Sequence, residues 1–187
     1  MTMVESTLES IQLVDNFETI LTEYQDRVYN QAYRMLGNRE DAEEATQDIF
    51  LNIYKSLDDF RGESKVSTWI YRITSNVCIS RLRKKQLEIT SFEEPLGEDG
   101  ATLGDFIHDD GPDQQALMES EETAEMVRAQ VQKLPPDWAM AISLCHFDDL
   151  SYDEIAKIMD IPKATVATYI HRGRKQLAQQ LMNRMRV

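Results

Sequence analysis

The chain lacks the residue clusters on which most enzymes and metalloproteins depend. Its 187 residues include only two cysteines, Cys78 and Cys145, and neither lies in a Cys-x-x-Cys motif. We therefore expect two reduced thiols in the core rather than a disulfide or a zinc site. His108, His146 and His171 are scattered along the chain, with no paired carboxylates or glycine-rich phosphate loop to accompany them. We expect no catalytic residues, no metal and no cofactor.

Glycine and proline are also scarce, at seven and five residues, while 42% of the residues are hydrophobic. This composition favours long helices over a β-sandwich and predicts an all-α fold. No apolar run approaches the ~18 residues of a transmembrane helix, and the acidic start is unlike a signal peptide. We expect a soluble, cytoplasmic protein without membrane insertion, and a monomer when free because no dimerisation seam is evident.

Basic residues are missing from the middle of the chain and concentrated in two tracts. Residues 61–85 hold seven Lys/Arg and one acid, and residues 163–187 hold six Lys/Arg and no acid. Between them, residues 86–125 hold thirteen acids and no Lys or Arg. Binding of polyanions depends on local fields, so a net charge of −13 does not exclude it. The pattern favours a nucleic-acid binder with two sites, whose net charge limits indiscriminate binding.

Hydrophobic residues recur at helical spacing on both sides of an acidic linker. The linker, residues 87–114, contains four of the seven glycines, and we expect it to be extended or loosely ordered. It separates two small helical domains, residues 1–86 and 115–187. The predicted helices are Leu13–Leu36, Arg39–Leu57, Lys65–Lys85, Gln115–Lys133, Asp137–Phe147, Ser151–Met159 and Lys163–Met182.

The C-terminal domain has the pattern of a helix-turn-helix. Ser151-x-x-Glu154 predicts a capping box that opens a short helix, and Asp160-Ile161-Pro162 predicts the turn before the last helix. One face of that last helix is expected to pack inward (Val166, Ile170, Gly173, Leu177), and the opposite face to meet DNA (Ala164, Thr168, His171, Arg172, Lys175). The alternative is a helical hairpin with a solvated charged face, against which the absence of acids after Asp160 argues.

Aromatic, hydroxyl and basic residues are mixed in residues 60–76. Unpaired bases stack on aromatic rings and need polar groups for their edges, so this mixture suits melted single-stranded DNA. Trp69 has an alternative role as a core residue. Arg81, Arg83, Lys84 and Lys85, further along the same helix, are predicted to follow phosphates.

Together these motifs resemble the extracytoplasmic-function (ECF) subfamily of bacterial RNA polymerase sigma factors over nearly the whole chain. Residues 36–50 are similar to the core-binding helix of region two, residues 60–76 to the promoter-melting segment, and residues 150–177 to region four. The resemblance implies a non-enzymatic protein that binds core RNA polymerase and promoter DNA, with an anti-sigma factor as a further partner. Region two would capture the melted minus-ten element, region four would read the minus-thirty-five duplex, and the linker would run toward the RNA exit path.

The resemblance also implies roles for individual residues. The expected polymerase contacts are Gln47, Asp48 and Asn52. The expected minus-ten contacts are Arg61, Gly62, Glu63, Ser64, Lys65, Arg72, Asn76, Arg81, Arg83 and Lys84. The expected minus-thirty-five contacts are Lys163, Thr165, Thr168, His171, Arg172 and Lys175.

Four positions depart from the family pattern. Asp160 stands where a turn glycine is usual, so we expect it to adopt the left-handed conformation, which Asp tolerates. Val66 occupies a common Phe position. Ala167 and Tyr169 stand where basic residues are frequent in the recognition helix, so the family's usual affinity and sequence preference are not expected to carry over unchanged.

Two other functions compete with this interpretation. A helix-turn-helix regulator that acts without being a polymerase subunit would use only the C-terminal domain, and would leave the aromatic-basic helix unexplained. A helical adaptor that binds only proteins would leave both basic tracts unexplained.

Overall fold

The computed structural model describes residues 17–92 and 126–184, and all regular secondary structure in these two ranges is helical. This confirms the predicted all-α class. A helical segment at residues 126–131 precedes a turn at residues 132–134. The predicted helical residues 13–16 and 115–125, and most of the predicted linker, lie outside the described ranges. The helices are α1 Phe17–Leu36, α2 Arg39–Lys55, α3 Val66–Phe92, α4 Pro136–His146, α5 Tyr152–Met159 and α6 Lys163–Arg184.

The corner between α1 and α2 is built by two adjacent residues. Gly37 adopts a positive φ of 82° and ends α1, with its N–H donating to the Tyr33 carbonyl at 2.9 Å. Asn38 then caps α2, because its side-chain oxygen accepts from the Asp41 N–H at 2.7 Å. Both features follow from the usual preferences of helix ends for Gly after the last turn and Asn before the first. The two helices pack against each other on either side of this corner.

The N-terminal unit, residues 17–92, packs α1, α2 and α3 around an aliphatic core. Ile20, Ile49, Ile53 and Ile70 are each at most 1% exposed. Cys78 lies among them as a buried free thiol, and burial raises its pKa to about 12. Such a thiol is inert at neutral pH, so its role is packing.

Helix α3 is longer than predicted. It continues to Phe92, whereas the sequence interpretation ended it near Lys85 and began the linker at residue 87. The change from basic to acidic composition suggested a boundary, but no Gly or Pro occurs between Gln86 and Phe92 to break the helix. The other ends differ by one or two residues: α2 ends at Lys55, α4 spans Pro136–His146 and α6 continues to Arg184.

The C-terminal unit, residues 126–184, is centred on α4. Seven of the eleven residues of this helix are buried, so it has contacts on nearly all sides. Helix α6 lies across it and buries Val166 and Ile170. The two helices approach closely at Gly173, because a Cβ there would lie 2.4 Å from Ile142 Cδ1. The predicted inward face of α6 is confirmed.

The two units are in direct contact in this structure. Helix α3 packs against α5 and α4, and α1 packs against α4. The guanidinium of Arg128, in the helical segment that leads into the C-terminal unit, lies 5.0 Å from the ring centre of Tyr33 in α1. Contacts between the two units therefore involve helices α1 and α3 of the first and α4 and α5 of the second.

Candidate polymerase and nucleic-acid interfaces

The three residues expected to contact polymerase share the outward face of α2. Gln47, Asp48 and Asn52 are all exposed, while Ile49 and Ile53 of the same helix are in the core. This division follows from the helical repeat, which points positions 47, 48 and 52 away from positions 49 and 53. The structure therefore brings the three predicted side chains together on one surface.

The same surface carries apolar side chains that the sequence interpretation did not select. Leu51 is 49% exposed and Tyr54 is 62% exposed, and the Tyr54 ring meets the ring of Phe17 edge to face at 5.2 Å. Exposed large apolar groups beside polar ones are typical of protein-binding surfaces. A helical projection would have found them, since positions 47, 51 and 54 lie on one side of a helix.

The loop before α3 and the first turns of α3 hold the expected minus-ten residues. Arg61, Glu63 and Lys65 are exposed and Gly62 and Ser64 are half-buried, with Gly62 at φ 70°. Positive φ explains why glycine occupies this turn.

Trp69 of α3 is half-buried, and its ring lies 4.9 Å from that of Phe60. Trp69 is therefore packed on one side and partly accessible on the other. This position is compatible with both roles that the sequence allowed, core packing and base stacking.

Two expected minus-ten contacts form an exposed stripe on α3. Arg72 and Asn76 are one helical turn apart and both exposed, and Arg83 and Lys84 are exposed further along the helix. Positions separated by four residues lie on one face of a helix. The stripe therefore places the Asn76 amide between the cations of Arg72 and Arg83.

The basic end of α3 is paired with acids of the same chain. Arg81, only 25% exposed, lies against α2, where it binds Glu44 at 3.1 Å and also contacts Asp48. Lys85 binds Asp41 at 3.0 Å. The Asn38 amide, followed by Lys85, lowers the pKa of Asp41 below its usual value. The structure thus joins an expected DNA contact, Arg81, to an expected polymerase contact, Asp48, which the sequence interpretation treated as separate.

The helix-turn-helix has the predicted local geometry. The Ser151 hydroxyl accepts from the Glu154 N–H, and the Glu154 carboxylate accepts from the Ser151 N–H at 2.9 Å, which completes the capping box. These Ser151 hydrogen bonds lower the pKa of Glu154. Asp160 adopts φ 54° and ψ 47°, which confirms the expected left-handed turn. Pro162 then precedes α6, and its carbonyl accepts from the Val166 N–H at 3.1 Å.

The outward face of α6 carries the residues expected at the minus-thirty-five element. Lys163, Thr168, His171, Arg172 and Lys175 are exposed, and Thr165 is half-buried. Lys163 is paired with Asp153 of α5 at 2.7 Å. The Thr168 hydroxyl donates to the Ala164 carbonyl at 2.9 Å, which leaves its methyl and oxygen on the surface. Small side chains at the start of the helix and cations later in it suit entry into a major groove.

An aromatic residue of α4 supports this face. Arg172 lies over the ring of Trp138, 5.9 Å from its centre, and Trp138 also contacts the ring of Tyr169. A guanidinium held over an aromatic ring keeps its positive charge, while its side chain loses conformational freedom. The sequence offered no signal for this support, because Trp138 is 34 residues from Arg172.

A polar network joins the two units, and the sequence interpretation did not foresee it. Arg34 of α1 binds both carboxylate oxygens of Asp148 at 3.0 Å, and their side chains are 17% and 9% exposed. Asp149, next in the chain, adopts a positive φ of 50°, and this turn orients the loop after α4. Burial raises the pKa of Asp148, and Arg34 opposes that rise. Tyr71 of α3 also reaches this carboxylate.

Within residues 17–92 and 126–184, no group of His, Cys, Asp and Glu side chains has the arrangement needed to hold a metal ion. No helix of these two ranges combines the length and apolar content of a membrane span.

Comparison with known families identifies two regions in the chain. The Sigma-70 region 2 family matches residues 20–88, and the Sigma-70, region 4 family matches residues 124–177. The first match covers most of α1, all of α2 and most of α3, and the second covers α4, α5 and most of α6. The two regions therefore coincide with the two helical units.

Curated relatives share most of the chain. The ECF RNA polymerase sigma factor SigW of Bacillus subtilis (strain 168) is 39% identical over 167 residues, which cover 89% of each chain. The ECF RNA polymerase sigma-E factor of Escherichia coli (strain K12) is 33% identical over 177 residues, covering 91% of this chain and 90% of that protein.

Solved structures share the fold. The sigma factor RpoE of Bartonella quintana, solved with the anti-sigma factor NepR, has a TM-score of 0.64 at 22% identity, covering 89% of this chain and 96% of that one. CnrH, solved with the cytosolic domain of CnrY, has a TM-score of 0.62 at 19% identity, covering 95% and 97%.

Proposed function

Because the chain belongs to the ECF RNA polymerase sigma factors, we propose that it binds core RNA polymerase and directs transcription initiation at specific promoters. The observation that carries the proposal is that both sigma-70 regions occur in one chain, in order, each with an exposed polar helix face. The protein contributes recognition and the polymerase performs the chemistry, so the chain is not itself an enzyme.

Polymerase binding is assigned to the outward face of α2. Gln47, Asp48 and Asn52 supply polar contacts, and Leu51 and Tyr54 supply exposed apolar area beside them. A binding surface of this composition gains affinity from the apolar groups and orientation from the charged ones. Support comes from the match of this helix to sigma-70 region 2.

Recognition of the melted minus-ten element is assigned to the loop at residues 61–65 and to the stripe on α3. An extruded base needs a pocket wall, an edge partner and cations for the flanking phosphates. The exposed Asn76 amide can pair with a base edge, while Arg72 and Arg83 can neutralise phosphates. The partly accessible Trp69 ring offers a stacking surface at the start of the helix.

Recognition of the minus-thirty-five duplex is assigned to the outward face of α6. Thr165, Thr168 and His171 are close enough to the start of the helix to reach base edges, and Lys163, Arg172 and Lys175 can hold the backbone. Arg172 is preorganised by its contact with Trp138.

An anti-sigma factor is the further protein partner that we propose. Both solved relatives named above were captured with another protein, in one case named as an anti-sigma factor. Since polymerase acts in the cytoplasm, we place the function there, with the protein monomeric before it joins the polymerase.

A run-off transcription assay tests the proposed function. Purified core polymerase and a library of random promoter sequences are combined with the protein or with buffer. We expect transcripts only with the protein, from templates that share two sequence elements separated by a constant spacing. Specific duplex binding by the protein alone, without any stimulation of core polymerase, would favour the helix-turn-helix regulator instead.

A further inference from the structure

Three residues of α4, spaced four positions apart, contact three consecutive residues of α6. Trp138, Ile142 and His146 lie on one face of α4, because residues separated by four positions are neighbours on a helix surface. Each of them contacts a different one of residues 172–174. These three side chains of α4 form the α4 row. The row extends for about 12 Å, the helical rise over eight residues, so it holds α6 on both sides of the point where the helices cross.

The middle contact of the α4 row fixes the distance between the helices, and the outer contacts fix the direction of α6. A Cβ at Gly173 would lie 2.4 Å from Ile142 Cδ1, so α6 meets α4 with its backbone at this point. Toward the start of α4, the Arg172 guanidinium lies 5.9 Å from the centre of the Trp138 ring. Two helices that met only at Gly173 could swivel about that residue, and contacts at both ends of the row oppose this motion.

Trp138 holds two residues of α6 with one ring. Its centre lies 6.5 Å from the centre of the Tyr169 ring, and the two planes are inclined by 36°. Tyr169 and Arg172 are three positions apart, so they are neighbours on the surface of α6. Among the ion pairs of the residues that the structure describes, none involves Arg172. The ring therefore holds this guanidinium without neutralising it, and its charge remains available for a phosphate.

The other end of the α4 row is a hydrogen bond to an imidazole. Arg174 donates through Nε to His146 Nε2 at 3.0 Å, so this ring nitrogen accepts and carries no proton. Burial lowers the pKa of His146 below its usual 6.5, Arg174 adds to this effect, and Asp149 of the following loop opposes it. The ring is therefore neutral at pH 7 and accepts the bond. As the pH falls through the lowered pKa, Nε2 gains a proton and two cations face each other.

The direction of α6 decides whether its DNA-facing side chains reach base edges. Thr165 lies eight residues before Gly173, which is about 12 Å along the helix axis. A swivel of about 10° at Gly173 therefore moves Thr165 by about 2 Å. Since hydrogen-bond lengths vary by only about 0.5 Å, such a swivel is enough to remove a base contact.

We propose that Trp138 and His146 are positioning residues of the minus-thirty-five site, which set the direction in which α4 holds α6 toward the duplex. They act through Arg172 and Arg174, and not by contacting bases. The proposal rests on the proposed function for the identity of the ligand, while the geometry of the α4 row does not depend on it. Recognition of this element then requires an aromatic ring and a neutral imidazole on a helix that does not itself read DNA.

The first test changes Trp138 and separates positioning from stability. Trp138→Leu keeps an apolar side chain but removes the ring that holds Arg172, whereas Trp138→Phe keeps a ring. Tyr33→Leu is the matched control, because Tyr33 is also half-buried and has the Arg128 guanidinium 5.0 Å from its ring centre, but lies in α1. Each protein is combined with core polymerase on two templates. One carries the minus-thirty-five sequence recovered by the run-off selection, and the other carries a scrambled sequence in its place.

The measured quantity is the ratio of holoenzyme affinities for the intact and the scrambled template, from which a general loss of folded protein cancels. Trp138→Leu should lower this ratio about tenfold, as for one lost base contact, while Trp138→Phe and Tyr33→Leu should remain within about twofold of the wild type. A wild-type ratio in Trp138→Leu would overturn the proposal, and so would an equal loss in Tyr33→Leu.

The second test follows the same ratio with pH. His146→Gln supplies an amide oxygen that can accept from Arg174 at every pH. Between about pH 8 and about pH 5.5, the ratio should fall about threefold more in the wild type than in His146→Gln, because only the wild type loses this hydrogen bond. His171 is present in both proteins, so its own protonation cancels in the comparison. Equal pH profiles would overturn the role of His146.

The third test measures the angle between α4 and α6 in the free protein, from residual dipolar couplings of their amides. Trp138→Leu should change this angle by about 10° or more, and Tyr33→Leu should leave it unchanged. An unchanged angle in Trp138→Leu would overturn the positioning role. If circular dichroism shows that Trp138→Leu has lost helix, the pH comparison with His146→Gln decides. If the angle changes as expected but no protein stimulates core polymerase, the proposed function fails while the role of Trp138 in orienting α6 stands.

Discussion

Reversing the charge of Asp48 should separate polymerase binding from folding. The Asp48 side chain is 52% exposed and pairs with Arg81, which keeps a second partner in Glu44 at 3.1 Å. Exposed ion pairs contribute ~0.2–1 kcal/mol, so Asp48→Lys should lower the free energy of unfolding by at most about 1–2 kcal/mol. Loss of a charge contact at a protein interface costs ~2–5 kcal/mol. Affinity for core polymerase should therefore fall about thirtyfold to a few thousandfold.

Glu44→Lys is the matched control for this change. Glu44 is 67% exposed, lies one turn earlier on α2 and shares Arg81 as a partner. Both variants should lose similar stability in urea denaturation. In a titration of labelled protein with core polymerase, Asp48→Lys should lose much more affinity than Glu44→Lys. Wild-type affinity in Asp48→Lys, or equal losses in the two variants, would refute the assignment of this part of α2.

Four further substitutions test the DNA contacts, a helix cap and the core. Asn76→Ala and Arg172→Ala should each weaken promoter binding by ~1–3 kcal/mol. A template melted in advance at the minus-ten element should rescue a melting defect of Asn76→Ala but leave the defect of Arg172→Ala. Rescue of both variants would contradict the assignment of Asn76 to the minus-ten element and of Arg172 to the minus-thirty-five element. Since hydrogen bonds from Ser151 lower the pKa of Glu154 below its usual 4.5, its charge stabilises the fold above that pH and the contribution is lost as pH falls through the lowered pKa. The stability difference between wild type and Glu154→Gln should then shrink below about pH 4.5 in urea titrations, and a constant difference would contradict this. Gly173→Val should lower the free energy of unfolding by ~1–3 kcal/mol through overpacking, because a Cβ at that position would lie 2.4 Å from Ile142 Cδ1; unchanged urea denaturation would show that Ile142 yields without loss.

Local features of the helix-turn-helix were predictable because they depend on a few adjacent residues. The Ser151–Glu154 capping box follows from side chains three positions apart. The left-handed Asp160 was expected because the family resemblance places a turn glycine at that position, and Asp tolerates the conformation. The inward face of α6 follows from the helical repeat at Val166 and Ile170. Such features require no knowledge of what else the chain contacts.

Features that join distant parts of the chain were not predictable in the same way. Arg34 and Asp148 are separated by 114 positions, and no periodicity relates them. Arg81 was interpreted as a phosphate contact from its basic neighbours, while the acids that it meets belong to another helix. Charge patterns along a sequence indicate which residues are ionised, but only the packing of helices determines which ions become partners.

The burial of α4 has a practical consequence for dividing this protein into fragments. Ser143 and Met140 are buried, and both meet Gln31, a residue of the other unit. A fragment that begins after the linker would expose Ser143 and Met140 to water, and this uncovered part of α4 could then contact other copies of the fragment. We expect such a fragment to be prone to self-association and to regain solubility when residues 1–92 are supplied as a separate chain. Binding constants measured on the isolated C-terminal fragment would then describe a surface that the intact protein keeps covered.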